Sequence, residues 1–245
     1  MLIYTTTMKK DNIIIFDMDE TLGYFKQLSN IVYALEKNNY YIKNQDTFNE
    51  LLDLYPEYIR PKIYDILLYI LDKRTNKDCS KILIYTNNNG PRVWLESISN
   101  YFNYKLKTKV FDKIIGAFKI NGEVIELCRS SNKKKYDDIM KCTLINDKTQ
   151  ICFIDDQIHN QMENENVYYI QIKPYIYNIK VDDILNRYYN NFKPTDSKSI
   201  FFKKMKKYIN EESYNINYNK EFIIDEVIGK KILMHIKAFF KINKC

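Results

Sequence analysis

Residues 13–21 read Ile-Ile-Ile-Phe-Asp-Met-Asp-Glu-Thr. Four apolar residues make a short buried strand, and Asp17 and Asp19 stand at its C-terminal end. In open α/β sheets the ligand crevice lies outside that end of the strands. Two carboxylates are costly there unless a cation or a developing positive charge compensates them. The pair suggests a metal-assisted site in which one carboxylate attacks and its neighbour handles the proton.

Two further segments have the same form. Residues 82–87, Ile-Leu-Ile-Tyr-Thr-Asn, are a short apolar strand ending in a hydroxyl (Thr86) and an amide (Asn87). Residues 151–156, Ile-Cys-Phe-Ile-Asp-Asp, are a third strand ending in Asp155 and Asp156. Between them, Lys133-Lys134-Lys135 leads into the helical pattern Tyr136, Ile139, Met140. Taken singly, each element has a plainer reading. An Asp pair can turn a chain or cap a helix, Thr-Asn-Asn-Asn-Gly is a good loop anywhere, and a lysine run is usually a solvated face. It is the joint order that points to a site. His159 either lines that site or is an ordinary loop histidine.

The order Asp-x-Asp-x-Thr, apolar-Thr, Lys, apolar-Asp-Asp resembles the haloacid dehalogenase superfamily of phosphotransferases, over residues 12–172. Within it, Asp-Glu-Thr-Leu at 19–22, Arg60-Pro61 before a helix, and Asp155-Asp156 partly resemble the phosphatases that act on the polymerase C-terminal domain. The run 134–142 and Asp155-Asp156-Gln157 are also similar to superfamily members from large DNA viruses, which would imply a cytoplasmic setting. The resemblance implies a Mg²⁺-dependent phosphatase working through an aspartyl-phosphate. Asp17 would be the nucleophile and Asp19 the acid and base. Thr86 would hold the transferring phosphoryl group, with Asn87 and Thr21 beside the substrate. Lys134, or after it Lys135, would neutralise charge, and Lys133 would be solvated. Asp155 and Asp156, with Asp17 and the carbonyl of Asp19, would ligate Mg²⁺, which favours hard oxygen donors. The substrate would be a phosphorylated small molecule, protein or nucleic-acid end.

The elements that must position these groups follow from periodicity. Helical patterns run through Leu28, Ile31, Val32 and Leu35, then Phe48, Leu51 and Leu52. After Pro61 comes the stripe Ile63, Ile66, Leu67, Ile70, Leu71. Residues 23–75 are therefore a helical insert, and part of it forms a small cap in the resembling proteins. Pro91 starts the next helix, with Trp94, Ile98, Tyr101 and Phe102 inward, and a strand at Val110-Phe111 follows. Asn121-Gly122 joins runs 117–120 and 123–127 as a tight hairpin, and 167–172 is a last strand before Pro174. The alternation predicts an α/β fold: a three-layer α/β/α Rossmann-like sandwich of haloacid dehalogenase type. Its sheet is mostly parallel, with the helical insert and a C-terminal helical extension.

Residues 1–193 make the catalytic domain and 194–245 a basic extension. The chain of 245 residues carries +7, and residues 196–245 hold 11 basic and 6 acidic side chains, so most of the excess lies there. Residues 194–220 read as a linker or irregular arm. Residues 222–242 read as an amphipathic helix with Ile224, Ile228, Ile232, Ile236 and Phe240 on one face and Lys230, Lys231, Lys237 and Lys241 off it. That helix packs on the domain or meets nucleic acid, an anionic membrane or a protein partner. The function that rivals the enzyme is a binding protein using this tail. Five cysteines (Cys79, Cys128, Cys142, Cys152, Cys245) show no metal-type spacing and fit a reduced, intracellular protein. No apolar run reaches membrane-spanning length, so a soluble cytoplasmic protein is expected.

Overall fold

The computed structural model describes residues 11–209 and 218–243, without the side chains of 218–222. Five strands form one sheet: β1 (Asn12–Phe16), β2 (Lys81–Tyr85), β3 (Lys113–Ile115), β6 (Gln150–Asp155) and β7 (Val167–Gln171). The order is β3-β2-β1-β6-β7, and every pairing is parallel. β1 is central, with Phe16 opposite Ile84 on one side and Ile154 on the other. This register puts Asp17, Thr86 and Asp155 at one edge. A hairpin of β4 (Lys119–Ile120) and β5 (Glu123–Val124) stands apart. Asn121 and Gly122 both take positive φ, as the two-residue turn requires. Its strands are shorter than the alternation predicts.

Both faces of the sheet are covered, because successive side chains of a buried strand alternate. Ile14 and Phe16 join a large core with α1 (Lys26–Lys37), α2 (Gln45–Leu54), α3 (Ile63–Thr75), α4 (Arg92–Leu106) and α6 (Val181–Phe192). Ile13 and Ile15 join a smaller core with α5 (Tyr136–Thr143) and the helical turn Asn160–Met162. The chain is thus an α/β protein with a five-stranded parallel sheet between helical layers. The buried faces of α1, α2 and α3 belong to the same core as β1 and β2.

Four expectations are corrected. The strand expected at Val110-Phe111 does not form there. That pair is buried in the connection, and β3 starts two residues later. Residues 194–220 are not all irregular, since α7 (Lys198–Lys206) buries Phe201 against Tyr188 and Tyr189 of α6, buries Met205 beside Asn38, and leaves its lysines outside. The C-terminal helix α8 (Tyr218–Ile242) packs on the domain through Ile228, Ile232, Ile236 and Phe240 of the expected face, joined by Asp225 and Phe239. Ile224 departs from that face and is 47 % exposed. Finally, Cys128 and Cys142 are joined in a disulfide, against the fully reduced reading, while Cys79 and Cys152 are free and buried. Cys245 lies outside the described residues. No helix among the described residues is long and apolar enough to cross a membrane.

Candidate active site

The loop after β1 starts the site. Asp17 is buried, and its amide donates to the carbonyl of Ile154, which ties the end of β1 to β6. The loop then turns sharply. Glu20 takes φ +61, which costs a non-glycine residue and needs support. Arg60, 1 % exposed, supplies it by donating to the carbonyls of Glu20, Thr21 (2.6 Å) and Lys173 (2.9 Å). Gly23 closes the turn where only glycine fits, because a Cβ there would lie 2.4 Å from the carbonyl oxygen of Tyr58.

Lys134 is the centre of the charge arrangement. It is 2 % exposed, and its Nζ donates to Asp17 Oδ1 at 2.5 Å and to Asp155 Oδ2 at 2.6 Å. It stands one residue before Lys135, the N-cap of α5, so the backbone there is extended and carries the ammonium across the strand ends. Lys133 is exposed. Lys135 Nζ turns to Ser130 Oγ. Of the three lysines, Lys134 alone reaches the carboxylates.

Burial and charge act differently on the four aspartates. Burial pushes the Asp17 carboxyl up to about 7; Lys134 pulls it back, and Asp155 adds to the rise. Asp155 is also desolvated, but contacts with His159, Lys134 and the amide of Gln157 outweigh burial and hold its pKa below the usual range. His159 Nε2 lies 3.2 Å from Asp155 Oδ2. Burial raises the Asp19 pKa, against the pull of the hydrogen bond from Asn88 (Nδ2 to Oδ2, 2.7 Å). Burial and then Asp155 raise that of Asp156. Lys134 is opposed by burial, yet Asp17 and Asp155 hold its pKa above the usual value.

No family model, curated protein or solved structure matches this chain. Carboxylate oxygens of Asp17, Asp155 and Asp156 lie within 4.8 Å of one another. Four carboxylates face one ammonium, and every candidate donor is a hard oxygen. That set fits a small divalent cation such as Mg²⁺. The Asp19 carboxylate lies outside it, occupied by Asn88.

A cavity of about 780 Å³ opens over these groups. Asp17, Asp19, Thr86, Asn87, Lys134, Asp155, Asp156 and His159 all line it. The Thr86 hydroxyl oxygen accepts from the amide of Asn88 at 3.0 Å, which leaves its proton for a group in the cavity. Thr21 and Lys135, expected at the substrate, do not line it. Thr21 is 1 % exposed and donates to Asp156 Oδ1 at 3.3 Å, so it holds a carboxylate from behind.

Sequence reasoning missed two groups. Asn88 orients Asp19, and its signal was lost in a chain rich in asparagine throughout. Arg129 is 3 % exposed and stacks on Tyr85 at 4.7 Å. It donates to the carbonyls of Thr86 (3.1 Å) and Gly116 (2.6 Å), to Asn87 Oδ1 (2.8 Å), and to the carbonyls of Asn132 (3.3 Å) and Lys133 (3.4 Å). One side chain thus fixes the Thr86 loop relative to the backbone that carries Lys134. A lone arginine between two loops offers no pattern that announces this.

Proposed function

We propose that the chain is a Mg²⁺-dependent phosphomonoester hydrolase of the haloacid dehalogenase type. The observation that carries the reading is Lys134 bridging Asp17 and Asp155, with Asp19 and Thr86 facing the same cavity. A buried cation between two carboxylates provides for the negative charge a phosphoryl group adds, and phosphoryl transfer depends mainly on positioning and charge neutralisation.

Asp17 attacks phosphorus, and the bond to the leaving alcohol oxygen breaks. Asp19 gives its proton to that oxygen, a role helped by its raised pKa. An aspartyl-phosphate remains on Asp17. Asp19, now ionised, takes a proton from water as the water attacks phosphorus. Phosphate leaves and Asp17 is free again. Thr86 donates to a phosphoryl oxygen, and Lys134 offsets the negative charge. Asp17, Asp155 and Asp156 would hold Mg²⁺, which when bound neutralises the phosphoryl oxygens.

The test is hydrolysis of a small aryl phosphate with Mg²⁺ and with chelator, by the full chain and by Asp17→Asn. The reading expects turnover that needs Mg²⁺ and falls at least about a thousandfold in the variant, since nucleophile removal abolishes the covalent route. Turnover by Asp17→Asn equal to that of the unaltered protein would refute it.

A further inference from the structure

The cavity is larger than phosphate chemistry requires. Its volume, about 780 Å³, lies within the range of pockets that enclose whole small-molecule ligands. Beyond the carboxylates its wall becomes aromatic: Trp94, Tyr33 and Tyr41 line it from accessible positions, backed by the buried rings of Phe25 and Phe48. Phe48 of α2 is buried and meets Trp94 of α4 edge to face, ring centroids 5.5 Å apart. Trp94 is only half-buried.

The aromatic wall begins beside the proton donor. Asn88 bonds Asp19, and its Oδ1 accepts from the amide of Gly90 at 2.8 Å. Gly90 lies directly under Trp94, where an added Cβ would be 3.3 Å from the indole Cδ1. A short turn thus runs from the carboxylate that would protonate the leaving oxygen to the indole. The group attached to that oxygen enters the aromatic part. Polar groups are interspersed there, among them Asn44, Gln45 and Ser97. Ring faces with polar neighbours suit a flat, heteroatom-bearing group, since base–aromatic stacking tolerates any base.

We propose that the cavity takes a nucleoside monophosphate, its base against Trp94 and its phosphate at Asp17. The proposal rests on the phosphomonoesterase reading for turnover, and on the aromatic wall alone for binding of the nucleoside.

Trp94 is the only tryptophan of the chain, so its emission reports occupancy without labelling. The full-length protein is titrated with nucleosides, nucleoside monophosphates, free phosphotyrosine, glycerol phosphate and inorganic phosphate, and turnover is measured for each phosphomonoester. Expected are a saturable emission change with nucleosides and kcat/KM for nucleotides at least about fivefold above that for glycerol phosphate, the least that one stacked base supplies. Trp94→Ala should raise KM for nucleotides about tenfold and leave that for glycerol phosphate unchanged. No response to any nucleoside, with glycerol phosphate hydrolysed as well as nucleotides, overturns the proposal and leaves the phosphatase reading intact. Preference for phosphotyrosine over every nucleotide overturns it in favour of an aryl side chain. Nucleoside binding with no hydrolysis of any phosphate supports the site and defeats the phosphatase reading instead.

Discussion

The two faces of the sheet are built on different principles. On one, α1, α2, α3, α4 and α6 bury a continuous apolar core against Ile14, Phe16, Ile82 and Ile84. On the other, α5 is eight residues long, and its buried positions are Asp138, Ile139 and Cys142. The thin face is fastened by directed bonds. Arg129 ties two loops through oxygen acceptors, Asp138 Oδ1 accepts from the amide of Ser130, and a disulfide joins Cys128 to Cys142. Lys134 arrives from the thin face, whereas Asp17 and Asp155 end strands shared by both. Burial is non-directional and gives stability, while hydrogen bonds and covalent links fix position. A cation that must sit between two carboxylates gains more from the second kind of support.

The contrast makes ordered predictions. The largest effect belongs to Lys134→Ala. It leaves Asp17 and Asp155 facing each other without their ammonium, so phosphatase activity should fall about a thousandfold or more. Melting temperature in chelator should fall too, and Mg²⁺ should recover the melting temperature more than the activity. Recovery of full activity by metal alone would break the account.

Arg129→Met should lower kcat about a hundredfold, because a small misplacement of positioning groups has effects of that order. Its counterpart on the thick face is Leu52→Ala, which should cost about 2–5 kcal/mol of stability. The protein that remains folded should keep kcat. Equal kcat losses from the two substitutions would erase the distinction between the faces.

The disulfide closes a loop whose ends are 14 residues apart and which contains Arg129 and Lys134. Opening it with dithiothreitol should cost about 3 kcal/mol. Calorimetry with and without reductant checks this, and an unchanged melting temperature would argue that the pairing does not hold the loop.

The same charge arrangement sets a pH dependence in chelator. Asp17 has a folded pKa of about 7 against an ordinary 3.8, so the folded state binds that proton more tightly than the unfolded chain does. Its contribution to stability is complete below about pH 4 and is lost as pH rises through about 7. Melting temperature should therefore decline across that window, and the decline should flatten in Asp17→Asn. A melting temperature that rises over the same window would reverse the sign.

The strand ends were legible in the sequence because buried parallel strands are apolar without interruption, so the polar residues that follow them stand out. Asp17, Thr86 and Asp155 were found in this way, Lys134 came from the lysine run before a helical pattern and from the resemblance, and the structure brings the four together. The thick-face helices showed their periodicity for the same reason. On the thin face the pattern of α5 was legible, but its fastenings were not, since they are single residues in loops with no periodicity. Arg129 reaches back to Thr86, and a Cys128–Cys142 spacing follows no rule. Val110-Phe111 misled because two apolar residues served the core from a connection, while β3 begins with Lys113 at the sheet edge. In α7 the lysines dominate the composition, but Phe201 and Met205, one turn apart, are what pack.

The most direct test of the central claim is an acid quench during turnover with a phosphomonoester and Mg²⁺, followed by mass spectrometry of the proteolysed chain. The account predicts one phosphoryl group on the peptide containing Asp17, absent from Asp17→Asn. Phosphate release with no labelled Asp17 peptide, or with the label on another residue, would contradict it.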